Sequence, residues 1–393
     1  MILLRVASSI GAPRSGRGSS LGSRRMYHES ISRWFPIVAL LWPLAGCDLF
    51  HTSFEDVEDA VRYRAAVVEE PSAAPDSLRV MNWNMKFGAG RIDFFFDCHG
   101  TRSLMTAEEV RGHMADISEV VASVDPDLLL IQEVDVESKR SAYVDQVQFI
   151  LDNTPLNYAV YASQWRADYV PSDGIGRVNS GTAILSKYPL GASTRYALPA
   201  VPSYDALKRY FYLQRNVLET QLLVGAREDV WILATHAEAY SPDGTKRVHI
   251  DGFKEHLDRH RDQGHLVLGG GDLNTLPPQT GSVAPVADFP DSVCTDEEFI
   301  ADDYSEESDW LQALYDDYET AIPLQTYLDD PQAHYTHTTD KDGFWNRKLD
   351  YMFTNGVFVP SSGETLQSVD IGGHETMPLS DHAPVVVQWE VAP

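Results

Sequence analysis

Cysteine is scarce in this chain of 393 residues, which has three: Cys47, Cys98 and Cys294. That excludes a disulfide-stapled scaffold, so a buried core has to hold the fold. Long apolar runs are missing as well. The run Trp34–Leu44 is about half of the ~20 residues needed to cross a bilayer as a helix, which argues against a permanent span. Positive charge is also in short supply, with 31 Lys and Arg against 58 Asp and Glu, a net charge of −27. A chain that grips a nucleic-acid polymer usually presents a basic face. Nucleic acid is therefore a partner this sequence does not favour, although a local basic groove on an acidic body stays open. What is present, 43% hydrophobic and 23% charged residues, is ordinary globular material with enough apolar side chains for a large core.

The first 46 residues carry six arginines (Arg5, Arg14, Arg17, Arg24, Arg25, Arg33) and one acid, Glu29, ahead of the Trp34–Leu44 run and Ala45-Gly46-Cys47. Basic, then apolar, then small residues is the order of an export signal. Leu44-Ala45-Gly46-Cys47 resembles the lipobox of bacterial lipoproteins. The resemblance implies cleavage before Cys47, acylation of its thiol, and a membrane-anchored protein of the cell envelope facing the periplasm or exterior. Arg24, Arg25 and Arg33 suffice as the signal's charges, so residues 1–25 read as extra length ahead of a start at Met26. Six of the 31 basic and one of the 58 acidic side chains leave with residues 1–46, and the remaining 347 residues carry a net charge of −32. Whether Cys98 and Cys294 pair is left open by a single sequence. Residues 47–77, polar and acidic, read as a tether, and residues 78–393 as one domain.

Short β-rich runs recur from Leu78 onward: 78–83, 128–131, 158–162, 181–186, 216–224, 230–235, 265–268, 348–353 and 384–390. Helices are expected over 106–123, where Thr106 and Glu109 have capping-box spacing, over 140–153 and over 245–263. Many strands with little βαβ rhythm after the first third predict an α/β fold of two packed sheets. Residues 291–319 hold twelve acids and no Lys or Arg, and read as a solvated surface insertion.

Four apolar runs stop at polar groups. Asn84 follows Leu78–Trp83, Glu133 follows Leu128–Gln132, Asp272 and Asn274 follow Leu266–Gly271, and Asp381-His382 precede Ala383–Val387. Strand ends that deliver polar groups to a sheet edge are where function gathers. Together with Ser180–Pro189, Ala234-Thr-His236 and Arg347–Tyr351, these segments resemble, in order and spacing, the endonuclease/exonuclease/phosphatase superfamily with its deoxyribonuclease-I-like fold. The resemblance covers roughly Leu78 to Trp389. It implies a four-layer α/β sandwich, two central mixed β-sheets flanked by helices, with a divalent-metal phosphoesterase site at one end.

Phosphate-ester hydrolysis requires charge neutralisation at phosphoryl oxygens, an activated water and help for the leaving oxygen. By resemblance, Glu133, Asn84 and Asp381 would hold the metal, Mg²⁺ first with Mn²⁺ or Ca²⁺ as alternatives. Asp272 would orient or deprotonate water and Asn274 hold a non-bridging oxygen, their spacing of two placing both on one strand face. His236 would bind phosphate, and Asp350 would orient His382, the catalytic imidazole. His99, His249, His334 and His337 carry no motif and read as surface residues. Arg177, Lys187, Arg215, Arg347 and Lys348 read as solvated or salt-bridged. Asp93–Asp97 and Tyr210–Tyr212 supply aromatics for core packing or an apolar rim. The expected partner is a phosphate-ester substrate, phosphodiester or phosphomonoester, with the membrane reached through the lipid and no obligate protein partner inferred. Extracellular endonuclease activity is the alternative, and a catalytically inactive binding lipoprotein is a third, weaker one, since none of the site residues is missing.

Overall fold

The computed structural model describes residues 48–69, 71, 75–97, 100–239, 243–278, 304, 307, 309–367 and 371–391. The export signal, Cys47, Cys98, His99, Cys294 and much of the acidic run lie outside the described residues. Along the chain run β1 (Val57–Asp59), β2 (Val61–Arg64), β3 (Ser77–Asn84), α1 (Ala107–Val124), β4 (Leu128–Asp135), α2 (Gln146–Asn153), β5 (Tyr158–Val170), β6 (Gly176–Ser186) and β7 (Leu190–Ala197). There follow α3 (Ala206–Phe211), β8 (Asn216–Val224), β9 (Arg227–His236), α4 (Thr245–Asp262), β10 (Leu266–Asp272), α5 (Gln312–Asp317), β11 (Glu319–Thr320), α6 (Leu324–Asp329), β12 (Asp350–Thr354), β13 (Glu364–Thr365) and β14 (Val385–Glu390). The strands form two seven-stranded mixed sheets, ordered β1-β7-β8-β9-β10-β12-β11 and β13-β14-β3-β4-β6-β5-β2.

Alternation of side chains along the strands builds the layers. Even positions of the central strands, such as Leu78, Val80, Leu128, Leu130, Ile232, Leu268 and Met352, meet in the core between the sheets. Odd positions Met81, Trp83, Leu129 and Ile131 pack against Ile117 and Val121 of α1 and Ile150 of α2. On the other side Leu233, Val267 and Phe353 pack against Phe253 and Leu257 of α4. Each fully buried aliphatic side chain contributes roughly 1.5–3 kcal/mol. The result is the expected four-layer sandwich. The capping box of α1 is present: Glu109 N donates to Thr106 Oγ1 (3.2 Å) and Thr106 N donates to Glu109 Oε2 (2.8 Å).

Three expectations are corrected. Residues 57–64, read as tether, are sheet: β1 pairs with β7 and β2 with β5, one strand at an edge of each sheet. Ala60 between them, and Ala65 just beyond, are buried while Val57 and Val61 are exposed, so the apolar residues do not follow a strand's alternation. The helix expected over 140–153 begins only at Gln146, because Ala142 and Tyr143 adopt left-handed backbone and Asp145 then caps the start, accepting from Gln148 N (3.0 Å). Within the acidic run, Glu307 is buried and accepts from buried Lys246 (2.6 Å), so this part is packed, not solvated.

β10 runs parallel to β9 and antiparallel to β12, which sets Asp272 beside both His236 and Asp350. The preceding Gly271 has φ +152°, and a Cβ there would lie 1.9 Å from the Thr235 carbonyl oxygen. Only glycine lets β10 and β9 run together into the site. Gly271→Ala is expected to destabilise the fold by about 2–4 kcal/mol, read as a lowered urea midpoint; an unchanged midpoint would show that the strand shifts freely.

Candidate active site

Because β3 and β4 are parallel, and β9 and β10 are parallel, their C-terminal ends share one end of the sandwich. Inward-facing even positions there are polar: Asn84, Gln132, His236 and Asp272 all extend the rows that begin as Leu78, Leu128, Val230 and Leu268. Of these, His236 and Asp272 line a cleft of about 180 Å³, whose wall also includes Glu133, Asn274, Asp381 and His382.

Asp272 is the hub and is almost wholly buried. Its Oδ2 accepts from Asn84 Nδ2 (3.1 Å) and lies 3.3 Å from His236 Nε2 and 3.6 Å from His382 Nε2. Burial and the nearby Asp350 charge, opposed by His382, push its carboxyl up to about 7. His382 Nδ1 lies 2.8 Å from Asp350 Oδ2. Burial would lower this imidazole, but the Asp350 and Asp272 carboxylates outweigh it and raise it to about 10. His236 also lies beside Asp272 (3.3 Å), but burial, then the charges of Arg215 and His382, drive it well below the usual histidine range. The site thus pairs one imidazole held protonated with one held neutral, and two different proton-transfer roles are available from the same residue type.

Glu133 reaches the cleft against the alternation. As an odd position of β4 it would face α1, but the register slips between Ile131 and Val134, and Glu133 takes a left-handed φ of 54°. Such a bulge re-aims a side chain beside a site. Asn84 Nδ2 donates to Glu133 Oε1 (3.3 Å). Burial and the Asp381 charge raise the Glu133 carboxyl, and both acids line the same cleft. Asp381 itself is held well below the carboxylate range: burial opposes this, and Lys86, His382, His337 and Arg91 overcome it. Lys86 Nζ sits 3.5 Å from Asp381 and 3.1 Å from Asp97.

Asn274 is not on the same strand face as Asp272. β10 ends at Asp272, Asn274 turns left-handed (φ 52°), and its N–H donates to Asp272 Oδ1 (2.9 Å). Its Nδ2 donates to the Ala237 carbonyl (3.2 Å), which still leaves it on the cleft wall. Asn84 and Asp350 stand behind the wall and touch Asp272, Glu133 and His382 from there. All eight expected residues therefore gather at one end of the sandwich; Cys47 lies outside the described residues.

Several surface assignments are overturned. His249 and His337 are buried and His334 is half-buried; the His337 ring packs 4.5 Å from that of His382. Arg215, Arg347 and Lys348 are buried and not solvated, with Arg215 in the salt-bridged alternative. Arg215 lines the cleft beside Glu238 (3.6 Å) and donates to Gln164 (3.1 Å). Arg140, which the sequence did not single out, also lines it, clamped on Asp135 (2.8 Å). Of the aromatic segments, Phe94 and Phe95 join cores while Phe96 and Tyr212 line the cleft together with Trp165. Phe96 and Tyr212 thus take the rim alternative, whereas Arg140 and Trp165 carried no period that could mark them.

Asp272, Asp350 and His382 also offer atoms within 4.8 Å of one another, as a metal cluster would. Their hydrogen bonding argues otherwise, since an imidazole kept protonated by two carboxylates has no lone pair to give. Glu133 and Asp381 fit an ion better, since carboxylate oxygens suit hard, octahedral Mg²⁺; Asn84, whose Oδ1 accepts from Lys86 N (3.0 Å) and whose Nδ2 faces Glu133, stands beside them.

Two facing sheets whose adjoining ends bring acids, imidazoles and a carboxamide to one cleft define a hydrolase-type α/β sandwich. The chain belongs to the endonuclease/exonuclease/phosphatase family, whose model matches residues 81–382, a superfamily that includes phosphodiesterases, nucleases and phosphatases and generally acts on phosphoester bonds. Among solved structures it is similar to an endonuclease/exonuclease/phosphatase from Beutenbergia cavernae DSM 12333, with 19% identity over 81% of this chain and 72% of that one and a TM-score of 0.49. It is similar to an endonuclease/exonuclease/phosphatase from Bacteroides vulgatus at 14% identity, over 80% and 99% of the two chains, TM-score 0.48. The human Nocturnin catalytic domain with a bound sulfate anion matches at 15% identity, over 84% and 97%, TM-score 0.46. No curated protein matches the sequence.

Proposed function

We propose that the protein is an exported, lipid-anchored phosphoesterase that depends on a divalent cation, Mg²⁺ first. The observation that carries this is the hub at Asp272, where one buried carboxylate oxygen meets an amide and two imidazoles. Above its raised pKa, Asp272 takes a proton from the attacking water. The His382 imidazolium, fixed by Asp350, and the Asn274 amide donate hydrogen bonds to phosphoryl oxygens as charge develops there. Neutral His236 binds the same group from the other side. Glu133, Asp381 and Asn84 would hold the cation, which when bound supplies neutralisation of phosphoryl charge.

The nuclease reading is weaker because the cleft's cations are already matched. Lys86 faces Asp97 and Asp381, Arg140 faces Asp135, and Arg215 faces Glu238. Little positive potential remains to track a polyanion.

The test is hydrolysis of bis-p-nitrophenyl phosphate, plasmid DNA and phospholipid with Mg²⁺, with and without chelator. Chelation is expected to abolish turnover. Glu133→Gln is expected to raise the Mg²⁺ concentration for half-maximal rate by about 10–100-fold. Full turnover in chelator would remove the metal-dependent reading, and turnover of DNA alone would favour the nuclease.

A further inference from the structure

The segment after Cys47 is seated on the domain. Asp48 Oδ1 accepts from the Tyr210 hydroxyl (2.7 Å) and Thr52 N (2.9 Å), and its Oδ2 accepts from Ser53 N (2.7 Å). Phe50 N donates to Tyr210 Oη (3.1 Å), the Phe50 carbonyl accepts from Asp168 N (2.8 Å), and its ring lies 5.8 Å from Phe211 and 6.3 Å from Tyr169. These contacts leave a single peptide link, about 3.8 Å between Cα atoms, between Cys47 and the body.

Large apolar side chains are exposed at this place. Leu49 is 69% exposed, Tyr169 53% and Leu207 62%. Leu49 stands between two residues bound by Tyr210, Tyr169 packs beside Phe50, and Leu207 precedes Tyr210 by one helical turn on the same face of α3. Lys208 and Arg209 flank them on α3. Apolar tips edged by Lys and Arg fit the headgroup boundary of a bilayer, on a body whose remaining charge is strongly acidic.

The same segment continues directly into the cleft wall. Trp165 Nε1 donates to the Phe211 carbonyl (2.8 Å), and Trp165, Tyr212 and Leu213 line the cleft. We infer that the face formed by Leu49, Phe50, Tyr169 and Leu207 rests on a lipid bilayer and holds the cleft against it, so that the substrate is the phosphoester of a lipid headgroup. This rests on the reading of Cys47 as the acylated residue. A one-residue junction keeps this face of the domain, and the cleft wall that adjoins it, close to the membrane.

The full chain, expressed in bacteria and purified from membranes, is reconstituted in vesicles of equal parts phosphatidylcholine, phosphatidylethanolamine and phosphatidylglycerol. Released headgroup ester is measured by mass spectrometry, with bis-p-nitrophenyl phosphate as the soluble control. A twenty-residue Gly-Ser insertion between Cys47 and Asp48 is expected to cut lipid turnover about tenfold through lost effective concentration, with the control unchanged. Leu49→Asp with Leu207→Asp is expected to do the same. Lipid turnover indifferent to both changes, or turnover of the control with none of the three lipids, overturns the inference and leaves the phosphoesterase reading standing. An intact mass without acyl chains on Cys47 overturns both the anchor and this inference. A control that is never hydrolysed sinks the catalytic reading and this inference with it.

Discussion

Asp272→Asn is expected to lower kcat on bis-p-nitrophenyl phosphate by about 10²–10⁴-fold, the range for loss of a positioned general base, with the fold intact. Asn keeps the volume and can still contact Asn84 and the imidazoles, so what is lost is the capacity to take a proton. A second readout separates this from misfolding. In chelator, burial and the Asp350 charge raise the folded carboxyl to about 7 from an ordinary 3.8. Between those values the folded state binds more protons than the unfolded one, so stability conferred by this group is present below 3.8 and lost as pH rises through 7. Asp272→Asn should therefore unfold at a higher urea concentration than wild type at pH 8, with the gain shrinking toward pH 4. A variant that is inactive and also less stable at pH 8 would mean that Asp272 is structural.

That trade, stability given up where the chemistry sits, explains what the sequence showed and what it hid. Inward-facing polar groups at the ends of apolar rows are visible without coordinates, because alternation assigns Leu78, Val80 and Asn84, or Leu268 and Asp272, to one face. Glu133 was legible as a strand-end acid only; its turn into the cleft depends on a register slip that shows no residue signal, since the left-handed position is filled by glutamate and not glycine. Asn274 misled in the opposite sense, its spacing of two from Asp272 suggesting a strand where the chain makes a turn.

Longer-range pairing was the other blind spot. β1 and β2 lie in a stretch whose apolar residues, Val57, Ala60, Val61 and Tyr63, do not alternate, and their partners β7 and β5 are 135–139 and 94–100 positions away, so the local pattern read as tether. β7 was missed for a related reason: Leu190-Gly-Ala-Ser-Thr-Arg-Tyr-Ala197 has little apolar alternation, and its place is set by pairing with β8 and β1. His337 and Arg215 carry no local pattern at all. Their burial follows from which loops meet over the sheet ends, a tertiary fact that overrides the usual exposure of charged residues.

The remaining large effect belongs to the buried His382–Asp350 pair. Burial alone would strip the proton from His382; the carboxylates of Asp350, 2.8 Å away, and Asp272 keep it on up to about 10. A cation is thereby available for the phosphoryl oxygens throughout the neutral range. Asp350→Asn removes the larger of the two supporting charges, and kcat is expected to fall about 10²–10³-fold at pH 8. The descending limb of the pH–rate profile should move from near 10 to lower pH, so part of the loss should be recovered by assaying at lower pH. The same pair contributes stability fully below the unfolded histidine value of 6.5, and that contribution is lost as pH rises through about 10. In Asp350→Asn the decline should be smaller and should be complete nearer neutrality. Because the two residues act as one unit, adding His382→Ala to Asp350→Asn should cost little more than either change alone. Additive losses, or a pH limb that stays near 10 without the carboxylate, would show that Asp350 does not work through the imidazole.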